Sequence, residues 1–188
     1  MKHLKNLSIA IISLLFITSC SSDDDSPEVV VEEEVITTMT ITLTPDGGGT
    51  AIELKTQDLD GDGPDAPVIT VSGDLAANTT YNGSIELLNE TESPAEDITE
   101  EVEELDEEHQ FFFQASNAIA TFAYSDVDGN GNPVGLSFTL TTGSAGTGTV
   151  TISLIHEPVK DASGVSDGDD TNAGGEEDIV ETFDIVVQ

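Results

Sequence analysis

An all-β, antiparallel sandwich interrupted by one acidic helix is the fold this sequence predicts. Three observations predict it. Apolar residues recur at every second position in several short runs, the period of a half-buried strand. Clusters of Gly, Pro, Asn and Asp, such as Pro45–Gly49, punctuate those runs. Strands and helices do not alternate along the chain, which argues against a parallel α/β sheet.

The runs place their apolar faces in order. Met39, Ile41 and Leu43 share one face, with threonines on the other. Ile52 and Leu54 follow, then Tyr81, Ile85 and Leu87. Leu136, Phe138 and Leu140 make a further strand, and Val150, Ile152, Leu154 and His156 another. Phe183, Ile185 and Val187 close the chain. Between the third and fourth runs, Ser93-Pro94-Ala95-Glu96 reads as a capping box with proline at the first helical position. The segment to His109 contains no further Gly or Pro. Its residues Ile98, Val102, Leu105 and His109 form a narrow apolar stripe at helical spacing. Glu107 and Glu108 oppose the negative end of that helix and should fray it. On this reading His109 marks the helix-to-strand transition, and Phe111 and Phe113 enter the core.

The stretch from Leu75 through a polar turn to Tyr81 resembles the tyrosine corner of fibronectin type III and immunoglobulin-like domains. Gly83 departs from that pattern, implying a bulge or a close backbone approach. The resemblance implies an all-β, antiparallel immunoglobulin-like β-sandwich of about eight strands over residues 36–188, with one inserted acidic helix.

The N-terminus reads as an export signal. Lys2 and Lys5 precede an apolar stretch, Leu7 to Ile17, too short to span a bilayer as a helix. Ile17-Thr18-Ser19-Cys20 resembles the bacterial lipobox. That resemblance implies a signal over 1–19 and diacylation of Cys20, the single cysteine. Residues 20–35 read as an acidic tether. The run Ser21–Asp25 resembles the surface-export signal of Bacteroidota-type lipoproteins. This implies an outer-membrane lipid anchor facing outward, with the periplasm-facing orientation as the alternative. Similar small lipoproteins accompany TonB-dependent receptors. Some are labelled type 1 periplasmic binding folds, a label that needs two α/β lobes and a longer chain than this one.

Charge excludes some partners. The 169 residues from Cys20 carry all 38 acids and only two lysines, Lys55 and Lys160, for a formal charge of −36. Nucleic-acid binding depends on neutralising phosphate, so nucleic acid is not an expected partner. The same charge raises local cation concentration. A nucleophile motif, a CxxC or HExxH zinc motif and any arginine are all missing from the sequence, so no enzyme is expected. The glycines of Thr141–Val150 suggest a phosphate loop but lack the following Lys-Ser/Thr, and are expected to form a hairpin loop.

Two loops and two histidines are the candidates for metal. Asp58, Asp60 and Asp62 in DLDGDG, and Asp126, Asp128 and Asn130 in DVDGNG, have spacing that resembles calcium loops, with calcium as the implied cofactor. Both lack the acidic twelfth position: Ile69 and Ser137 stand there. Such clusters also serve turns. The loop 166–178 is acidic without clear ligand spacing. His109 and His156 each neighbour a glutamate, Glu108 and Glu157. These four would make a transition-metal site if the helix end met the strand end. The simpler account gives both histidines capping roles, His109 gaining from the helix dipole. Two functions are therefore expected: a ligand- or metal-binding accessory to an outer-membrane transporter, or a calcium-stiffened structural or adhesive surface domain.

Overall fold

The computed structural model describes residues 34–61 and 63–188. The leader, Cys20 and most of the tether lie outside the described residues, as does Asp62.

The described chain is an antiparallel β-sandwich. One sheet runs in the order β3 (Val68–Val71), β2 (Ile52–Gln57), β1 (Thr38–Pro45), β4 (Thr80–Asn89), β8 (Ser137–Thr142), β7 (Ala120–Tyr124). The two-residue strand β5 (Glu96–Asp97) pairs with the end of β4. The second sheet runs β10 (Glu176–Val187), β9 (Gly146–His156), β6 (His109–Ala115). Every ladder between named strands is antiparallel.

Alternation does what the sequence predicts. Met39, Ile41, Leu43, Leu54, Tyr81, Ile85, Leu87, Phe138 and Leu140 face inward from the first sheet. Phe111, Val150, Ile152, Leu154, Phe183, Ile185 and Val187 face them from the second and complete one core. Among the described residues, ten strands stand where about eight are expected. The additional ones include β3, whose Val68 and Ile69 stay exposed, and the two-residue β5; neither offers a buried alternation to read.

The tyrosine-corner expectation holds in its geometry. Tyr81 is buried, and its hydroxyl accepts a hydrogen bond from the Ala76 N–H at 2.7 Å. Gly83 pairs with Phe138 in an unbroken register, so it marks no bulge. The Phe138 ring occupies the space a Cβ would need, which makes this a close backbone approach.

Three local expectations are corrected. The helix α1 spans only Ile98–Glu104, and its N-cap is Asp97, whose side chain accepts from the Thr99 N–H. Glu96 and Asp97 are drawn into pairing with β4, so helix cannot begin at Ser93. At the other end the chain leaves the helix at Leu105, as the unfavourable charges of Glu107 and Glu108 lead one to expect. His109 is therefore the first residue of a strand, four residues beyond the helix cap. Second, residues 143–145 do not close a hairpin, because β8 and β9 belong to different sheets; the glycine-rich segment is an arch between the layers. Third, Phe113 is only partly buried against the core, while Phe112, on the opposite face of β6, is as buried as Phe111 and is covered by Val165 and Ala173.

Among the described residues, no helix is long and apolar enough to cross a membrane.

Candidate metal centre

His109 and His156 open and close adjacent strands. They stand directly opposite each other in the β6–β9 ladder. Opposed residues share a face of the sheet, and the two ring centroids are 4.8 Å apart. The convergence left conditional by the sequence is thus met, through strand pairing and not through a helix end.

The carboxylates beside them are not the ones expected. Glu108 lies in the turn before β6, and Glu157 takes a left-handed φ of 51° just past the end of β9, so neither is carried inward with the strand. Both are exposed. The acids that enter are Glu34 and Asp178, with side chains only 5% and 3% exposed. Glu34 comes from the stretch read as tether, two residues ahead of the expected start of the domain.

Asp178 arrives by a backbone irregularity. Glu177 pairs with Ile155 and Ile179 with Leu154, so Asp178 is an extra residue in β10. Beyond it, Val180, Thr182, Asp184 and Val186 form the outward series of the strand, while Phe183, Ile185 and Val187 face the core. Even parity alone would send Asp178 outward. A bulge re-aims such a side chain, and here it turns the carboxylate toward the histidines.

The distances suit one small cation. His109 Nε2 lies 3.2 Å from Glu34 Oε1 and 3.9 Å from Asp178 Oδ2. His156 Nδ1 lies 3.6 Å from Glu34 Oε2 and 3.9 Å from Asp178 Oδ1. One ligand atom from each of the four residues falls within 4.8 Å of all the others. A tetrahedron built on bonds of about 2.0–2.1 Å has edges of about 3.3 Å, close to the shorter separations here.

Protonation sharpens the point. His109 Nδ1 lies 3.1 Å from the Leu105 carbonyl oxygen, which can only accept. Nδ1 therefore carries the proton, and in the neutral ring Nε2 presents a lone pair. That nitrogen is fully buried and, among the described residues, makes no hydrogen bond. Glu34 Oε1 is within range but off the direction a ring N–H would require. Glu34 Oε2 is likewise buried without a hydrogen bond. Burying the Glu34 carboxylate against the His109 lone pair is costly, and a divalent cation would satisfy both. The negative field reaches α1: burial, and then the charge of Glu34, pushes Glu101 above the usual carboxylate range.

The expected calcium loops are built differently. Asp58 accepts from the Asp60 N–H and Asp60 from the Asp65 N–H, both weak and exposed turn contacts; Asp62 lies outside the described residues. In the second loop, Asp126 caps the Gly135 and Ser137 N–H groups at 2.7 Å each. Asp128 accepts from Asn130 and Asn132 and holds Lys160 Nζ at 3.0 Å. Burial pushes Asp128 up, but Lys160 and the two amides outweigh it and hold the carboxyl below its ordinary range. Lys160 Nζ also donates to the Asp106 and Pro133 carbonyls. An ammonium with three acceptors thus stands where the expectation placed calcium, and Asn130 contributes a backbone N–H, not a side-chain ligand.

Compared with family models, curated proteins and solved structures, the chain matches none.

Proposed function

We propose that this chain is an exported, lipid-anchored sandwich domain that binds a divalent transition-metal ion through Glu34, His109, His156 and Asp178. One observation carries the reading: a fully buried imidazole whose Nδ1–H is committed to the Leu105 carbonyl turns its lone pair on a buried carboxylate. Metal-binding histidines are oriented by such a second hydrogen bond. Two imidazoles with two carboxylates suit zinc and its neighbours. Calcium prefers six to eight oxygens and fits this set poorly.

Four protein ligands would close the coordination shell. Catalytic zinc keeps a position open, so closure supports holding an ion over catalysis with it. The lipobox resemblance at Ile17–Cys20 and the acidic run after it support an outer-membrane anchor facing outward. A metal-holding domain there fits an accessory to a TonB-dependent receptor.

Calorimetric titration of the purified protein with zinc tests the reading. One ion should bind with micromolar or tighter affinity. His109→Ala and Asp178→Asn should each weaken it by more than tenfold, with far-UV circular dichroism confirming the fold. Wild-type protein that takes up no zinc, copper or nickel overturns the assignment.

A further inference from the structure

We infer that the buried centre has an outer cation position, formed by Glu108, His156 and Glu157, through which the ion enters. This rests on the buried-site reading above. The sequence grouped these two acids and one histidine with His109 as one site; the geometry gives two positions that share the His156 ring.

His156 is the shared member. Its Nδ1 faces inward to Glu34 and Asp178. Its Nε2 faces outward, 3.9 Å from Glu108 Oε2. That separation is too long for a hydrogen bond. The His156 side chain is nine-tenths buried, yet among the described residues its ring nitrogens lie beyond hydrogen-bond distance of the Glu34, Asp178 and Glu108 carboxylates around them. Glu108, His156 and Glu157 each offer a ligand atom, all within 4.8 Å of one another. The two acids are held together by their backbones, since the Glu157 N–H donates to the Glu108 carbonyl.

The other three ligands of the inner position are shut from solvent. His109 is fully buried, and Glu34 and Asp178 are nearly so. His156, at 10% side-chain exposure, is the most open of the four ligands, and Glu108 beside it is 51% exposed. A hydrated ion attracted to this acidic surface would meet exposed carboxylates at the one ring that also reaches the interior. There it could exchange water for carboxylate oxygen before losing the rest of its shell.

A neutral imidazole has one lone pair and one N–H. With the ion outside, Nε2 binds it and Nδ1–H points to Glu34 and Asp178. With the ion inside, Nδ1 binds it and Nε2 carries the proton on the outer side, too far from Glu108 for a hydrogen bond. Moving the ion inward exchanges one ring proton for another, both traded with water, and leaves the ring neutral. His156 therefore serves one position at a time, and the full complement is one ion per chain.

Stopped-flow zinc transfer from a chromophoric chelator, using wild type and the double variant Glu108→Gln/Glu157→Gln, tests this. Association and dissociation should both slow about tenfold or more in the variant, a reduction of the size that electrostatic steering provides, while equilibrium affinity stays within about threefold. His156→Ala should abolish binding at both positions. Rates unchanged in the double variant overturn the entry position. A loss of affinity of about 10–100-fold with faster dissociation would instead make Glu108 a supporting partner of His156, and also overturns it. Two zinc ions bound per wild-type chain refute the sharing of one ring. A wild type that binds no zinc at all fails the buried-site reading itself, a result distinct from each of these.

Discussion

Phe138 lies over the backbone of its cross-strand partner Gly83, so closely that a Cβ added there would sit 2.4 Å from the ring's Cζ. Phe138 also packs against Phe113 at a centroid distance of 4.4 Å, so the ring cannot retreat without disturbing the opposite sheet. Gly83→Ala should therefore destabilise the domain by about 1–3 kcal/mol, the cost of overpacking a filled core. Urea denaturation measures it. A neutral or stabilising result would mean that the ring is free to move.

Tyr81 makes a second test of the same corner. Its hydroxyl is the partner of the Ala76 N–H at the point where the chain turns into β4. Tyr81→Phe keeps the ring's bulk and strips that acceptor from a nearly buried site. A loss of about 0.5–1.5 kcal/mol is expected, the net worth of one part-buried hydrogen bond. Denaturant midpoints of the variant and wild type give the value directly.

Lys160 and Asp128 should behave as a coupled pair. Both side chains are at least 95% buried. Removing either alone leaves an uncompensated charge, at a cost of about 3–5 kcal/mol. The double variant Asp128→Asn/Lys160→Met should lose much less than the sum of the singles. The pair also bears on calcium. Any calcium-specific rise in Tm, beyond that in ionic-strength-matched sodium, should disappear with Asp58→Asn. A rise that survives that change would return the 126–131 loop to consideration.

Tyr124 sets the response to alkali. Burial pushes its phenol up to about 12, against an ordinary value of about 10. Burial disfavours the phenolate, so the neutral form is preferred in the fold. The resulting stability is fully present below the ordinary value and is lost as pH rises through about 12. Unfolding free energy should thus decline across this window. Absorbance at 295 nm should show a late-titrating tyrosine, which Tyr124→Phe removes. Titration of that tyrosine in the ordinary range would count against its burial.

Strands were legible because burial obeys simple parity: Met39–Leu43 and Phe183–Val187 are core on one face and solvent on the other. The helix was half legible. Its stripe at Ile98 and Val102 is real, but the stronger pull of β4 on Glu96 and Asp97 delayed its start. The histidines could be paired in thought, since each ends an element. Their acids could not. Glu34 is one of three consecutive glutamates with no mark to separate it from Glu32 and Glu33. Asp178 depends on a bulge, and nothing in Glu176-Glu177-Asp178 announces which residue the ladder will skip. In a chain with 38 acids, the signal of a carboxylate ligand is lost among its equals. Lys160 was visible as a rare cation, but its burial depends on three carbonyl or carboxylate oxygens brought from distant loops.

The irregularity at Asp178 has a genetic reading. From Ile179 to Val187, β10 keeps unbroken register with Leu154 to Gly146. The extra residue sits ahead of that run, at the start of the sheet's outer strand, where its gain or loss shifts nothing downstream. Deleting one codon there would take the Asp178 carboxylate out of the proposed site while leaving the rest of the β9–β10 ladder in register. The proposed site can therefore be inherited, or lost, independently of the fold that carries it.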